Sequence, residues 1–94
     1  MMRETDAVAL LARALRASAR LAGLHVTVRG ERSRPWASAT FVGELVEVDL
    51  RVAEVDADGW LAGLKAGDLP MRGWYVADLE VRGATLRALV LQEG

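Results

Sequence analysis

Ninety-four residues, 52% hydrophobic and 27% charged with a net charge of −1, are enough for one globular domain and exclude a disordered chain. The absence of cysteine excludes disulfides and thiolate chemistry, and the near-neutral balance gives no global pull toward nucleic acid or anionic membrane. No uncharged run reaches the roughly 18 residues a bilayer span needs, and arginines at 13, 16 and 20 interrupt any signal-peptide core. A cytoplasmic protein is the expectation. Eleven arginines against one lysine, sixteen alanines, and neither isoleucine nor asparagine follow GC-rich codon usage. A bacterial genome explains them better than a functional demand for arginine.

The apolar spacing predicts an amphipathic helix over 6–22. Thr5 is placed as its N-cap, Asp6 favours the positive end of its dipole, and Gly23 is placed at its C-terminal cap. At about 100° per residue, Val8, Leu10, Leu11, Ala14, Leu15, Leu21 and Ala22 share one face, with Ser18 at its centre. Arg13, Arg16 and Arg20 gather on the opposite side.

Leu24, Val26 and Val28 alternate with His25, Thr27 and Arg29, the pattern of a half-buried strand. A charged loop is expected over Gly30–Arg34, closed by Pro35. Two further strands, 36–42 and 45–52, flank Gly43-Glu44, where glycine at the first position suits a type II′ turn. That turn pairs Val42 with Leu45, Phe41 with Val46, Ala39 with Val48 and Ala37 with Leu50. On the reverse side it pairs Thr40 with Glu47, Ser38 with Asp49 and Trp36 with Arg51.

Asp56, Asp58 and Gly59 start a short second helix that carries Trp60, Leu61 and Leu64 inward and ends by Gly67 and Pro70. A second hairpin follows, 74–82 and 85–92, around Gly83-Ala84. Its register sets Val81 against Leu86, Leu79 against Ala88 and Ala77 against Val90 on an apolar side. On the reverse side Glu80 meets Arg87, Asp78 meets Leu89 and Val76 meets Leu91. The expected fold is therefore a single α+β domain over 1–94, a two-layer sandwich in α-β-β-β-α-β-β order. Its antiparallel sheet has about five strands, with both helices on one face.

Candidate functional residues then fall on the uncovered face. Trp74, Val76, Leu89 and Leu91 form an apolar cluster there, extended by Trp36 with Arg51 over its ring. The competing reading makes the last strand central and buried on both sides, or covers the patch with a loop. His25 shares the polar face with Glu47, Asp49, Asp78 and Glu80. No second imidazole or nucleophile motif accompanies it, so a solvated histidine is the better reading. The glycines never fall in a phosphate-cradling pattern. No catalytic, cofactor-binding or metal-binding residue is assigned, and no cofactor.

The first 43 residues carry seven basic and three acidic groups, whereas 44–94 carry five and ten. Such opposition can align two copies or meet a phosphate backbone, but aromatics interleaved with the basic stripe are missing. The leading expectation is a non-catalytic interaction module, a homodimer or a partner of another protein, with no membrane role. The alternatives are a ligand pocket or minor enzyme near His25, and a weak nucleic-acid binder using the N-terminal arginines.

Overall fold

Helix α1 (Ala7–Leu21) begins where the Asp6 carboxylate accepts the Val8 N–H at 3.0 Å, so Asp6 is its N-cap. The structure, a computed structural model, describes residues 6–54 and 58–93; Thr5 and Asp56, expected at the starts of the two helices, lie outside them. Gly23 ends the helix in the left-handed conformation, φ +78°. Leu24 N–H reaches back to Ala19 O and Gly23 N–H to Arg20 O, the paired bonds of a Schellman cap. The buried stripe is Ala7, Leu11, Ala12, Ala14, Leu15 and Ala19. Leu21, expected on that stripe, is 91% exposed, because it lies on the flank of the stripe in the last turn.

The remaining elements are β1 (Val26–Ala37), β2 (Val42–Val52), α2 (Asp58–Ala62), a 3-10 turn at Ala66–Asp68, β3 (Trp74–Arg82) and β4 (Thr85–Gln92). The strands form one antiparallel sheet in the order β1-β2-β4-β3. Its described strands number four, not about five. The expected loop at Gly30–Arg34 is extended backbone inside β1, continuous with Val26–Val28 through a bulge at Arg29. An edge strand tolerates that charge and Pro35, since its outer side needs no ladder partner.

The first hairpin turns over Ser38–Phe41, not at Gly43-Glu44. Ser38 Oγ accepts the Phe41 N–H at 3.1 Å, and Ser38 N–H donates to Phe41 O at 2.8 Å. Trp36 therefore stands opposite Gly43 and Ala37 opposite Val42, and none of the pairs expected around Gly43-Glu44 forms. Gly43 is a strand residue against β4. A Cβ there would lie 2.8 Å from Leu91 Cδ2 and 2.9 Å from Leu91 Cα. Close approach of two strands, and not a turn, is what demands glycine at this position.

The second hairpin forms where expected, with Gly83 at φ +56° and Val81–Leu86, Glu80–Arg87, Leu79–Ala88 and Asp78–Leu89 paired. Beyond Asp78 a bulge leaves Ala77 unpaired, and Val76 then meets Val90 in place of Leu91. One inserted residue turns every side chain beyond it to the other face. Trp74 and Val76, expected on the open face, therefore join the core, each 7% exposed.

That core fills one face of the sheet. Val46, Val48 and Leu50 of β2 and Leu86, Ala88 and Val90 of β4 meet Leu11 and Leu15 of α1, Leu61 of α2 and Leu69. Each fully buried leucine is worth about 1.5–3 kcal/mol of transfer free energy. Trp60, half-buried against this cluster, donates its indole N–H to Ser18 Oγ at 3.0 Å. Ser18 is thus a tie between the helices.

Candidate functional site

Directly paired residues share a side of a sheet, so the three registers describe the face away from the core row by row. At one end runs Tyr75–Leu91–Gly43–Trp36, from β3 to β1. Next comes Asp78–Leu89–Leu45–Arg34, then Glu80–Arg87–Glu47–Arg32, and then Arg82–Thr85–Asp49–Gly30. The first two rows are mainly apolar and the last two mainly charged.

The charged rows are internally satisfied. Arg32 donates through Nε to Glu47 at 3.0 Å and through Nη1 to Asp49 at 3.0 Å. Arg87 donates through Nη2 to Glu47 at 2.8 Å, and the Thr85 hydroxyl donates to Asp49 at 2.8 Å. Arg87, and then Arg32, hold the Glu47 carboxyl below its ordinary range. Arg32, and then Thr85, do the same for Asp49. The two carboxylates in turn raise the Arg32 guanidinium.

At the apolar end the pattern is different. Arg34 and Asp78 are exposed, and neither makes an ion pair with another described residue. They close the two ends of a row whose middle is Leu89 and Leu45. Beyond it, Phe41 and Tyr75 are 46% and 37% exposed. With Val42 they border an opening of about 470 Å³ at the end of the sheet, completed by Thr40, Gln92 and Glu93.

Of the interface residues expected from sequence, the structure brings Trp36, Leu89 and Leu91 together on this face. Leu91 is only 5% exposed, folded beside the bare backbone of Gly43. Trp74 and Val76 are in the core. Arg51 pairs with Thr27, eight residues along β2 from the Trp36 row and so about 27 Å away; it does not cover the Trp36 ring. Sequence reasoning missed Leu45, Tyr75 and Phe41, and the opposed pair Arg34 and Asp78. Leu45 and Phe41 were hidden by the misplaced turn, and Tyr75 by the bulge, for which the sequence carries no signal.

His25 stands apart from the acids it was expected to accompany. Its Nδ1 lies 2.7 Å from Glu54 Oε2, and its backbone N–H donates to Glu54 Oε1 at 2.9 Å. These bonds, the imidazole contact first, hold the Glu54 carboxyl below its ordinary range. Glu47 and Asp49 are engaged by arginines and Glu80 by Arg82. Among the described residues no three His, Asp or Glu side chains converge as metal ligands. Arg13, Arg16 and Arg20 are exposed along the outer side of α1. No helix is long and apolar enough to cross a membrane among the described residues.

Fold and face together define an α+β domain whose sheet is packed on one side and open on the other, charged over most of the open side and apolar at one end. Comparison with protein-family profiles, curated proteins and solved structures returns no match.

Proposed function

We propose that this chain is a non-catalytic interaction module that associates with a second copy of itself through the apolar end of its open sheet face. One observation carries the reading. Among the described residues four large hydrophobic side chains are exposed, and three of them stand at this end of the sheet: Tyr75 on the open face, Phe41 in the Ser38–Phe41 turn, and Val42, which alternation along β2 turns toward the packed side. Tyr75 shares the open face with half-buried Trp36, Leu45 and Leu89. A contiguous apolar patch rimmed by charge is the common form of a docking surface, and a two-fold pair is the commonest way for one chain to cover it.

The test is the solution mass by analytical ultracentrifugation from micromolar to millimolar protein. The native chain should move from monomer toward dimer. Tyr75→Asp should remain a monomer with an unchanged circular dichroism spectrum. A native chain that stays monomeric at about 1 mM overturns the reading.

A further inference from the structure

Resting on that self-association, the arrangement of charge on the open face points to how the two copies meet: we infer that they stack sheet on sheet about a two-fold axis parallel to the strands. Such an axis lays β3 of one copy over β1 of the other, and β4 over β2. The rows keep their position along the strands and reverse across them.

Reversal makes three of the four rows their own complement. Asp78–Leu89–Leu45–Arg34 sets Asp78 over Arg34 of the second copy, with Leu89 over Leu45 between them. Glu80–Arg87–Glu47–Arg32 alternates in sign, so Glu80 falls over Arg32 and Arg87 over Glu47. In the end row Tyr75 falls over Trp36, and Leu91 over Gly43. An axis perpendicular to the strands is disfavoured by the same charges. It would lay the arginines of β1 over one another and the acids of β3 over one another.

Arg34 and Asp78 need the second copy. They stand three strand spacings apart, about 14 Å, and neither makes an ion pair with a described residue of its own chain; Asp78 Oδ1 accepts the neighbouring Leu79 N–H, at 3.0 Å. Facing sheets pack about 10 Å apart and roughly 30° from aligned, a gap that an arginine and an aspartate reaching toward each other can close. Three rows across four strands cover about 400 Å² per copy, around half of a standard interface. The dimer is therefore weak and concentration-dependent.

The test is charge exchange, read as the dimer dissociation constant by sedimentation. Arg34→Asp and Asp78→Arg, each folded by circular dichroism, should each weaken self-association at least about tenfold by setting like charges together. Mixed in equal amounts, they should recover a heterodimer near native affinity, since the substituted residues then meet each other. The double variant, whose net charge is native, should self-associate like the native chain. If the native chain dimerises but neither the mixture nor the double variant recovers, this docking geometry is overturned while self-association stands. If the native chain is monomeric at about 1 mM, both fall.

Discussion

Leu91, with the Val90 carbonyl oxygen before it, occupies the space that a side chain at residue 43 would need: that oxygen is nearest, and Leu91 Cδ2 lies 2.8 Å from the position of a Cβ on Gly43. The contact joins the two central strands at the apolar end of the open face, and it leaves Leu91 5% exposed. Gly43→Ala should therefore force β2 and β4 apart locally. Overpacking of this kind costs about 1–3 kcal/mol, read as a fall in the urea midpoint. An unchanged midpoint would mean that the β4 backbone at Val90 and Leu91 gives way without cost.

Neighbours Trp74 and Tyr75 should behave oppositely. Trp74 lies in the core at 7% exposure, while Tyr75 is 37% exposed on the open face. Trp74→Ala should cost about 3–5 kcal/mol in urea denaturation. Tyr75→Ala should change monomer stability by less than about 1 kcal/mol yet weaken self-association. Equal losses from the two would contradict the bulge at Ala77.

The Trp60–Ser18 hydrogen bond, 3.0 Å long and spanning 42 positions of sequence, should contribute about 0.5–1.5 kcal/mol. Ser18→Ala and Trp60→Phe should each lower stability, and the double variant should lose less than the sum of the two. Strict additivity in that cycle would show that the bond contributes nothing.

Acid should act through Glu47 and Asp49. Both carboxyls are held below their ordinary values of 4.5 and 3.8, so the folded state binds fewer protons than the unfolded chain there. Their contribution is complete above those values and is lost as pH falls through the lowered ones. The melting temperature should stay level from about pH 7 to about pH 5 and then decline. Glu47→Gln should lower it at neutral pH and flatten the acid decline; an unaltered decline would exclude Glu47 as its source.

Where local chemistry decides, the structure follows the sequence closely. Alternation of apolar and charged residues at helical spacing marks α1, and Gly23 closes it because a left-handed cap favours glycine. Gly83-Ala84 marks the second hairpin for the same conformational reason, and the pairs next to it, through Asp78–Leu89, follow from a period of two. Part of the candidate site is legible on the same basis, since Leu89 needs only that register. Arg34 and Asp78 were visible as charges but not as the two ends of one row.

What the sequence by itself determined, then, is the class of elements and the face each presents near its turns. The tertiary structure alone decided that β2 and β4 are neighbours, that Gly43 serves a close strand approach, and that a bulge at Ala77 sends Trp74 inward and Tyr75 outward. The reason is physical: turn and cap preferences are properties of a few adjacent residues, whereas the spacing of β2 against β4 and the register beyond a bulge depend on contacts between segments remote in the chain. The apolar end of the open face rests on those remote contacts.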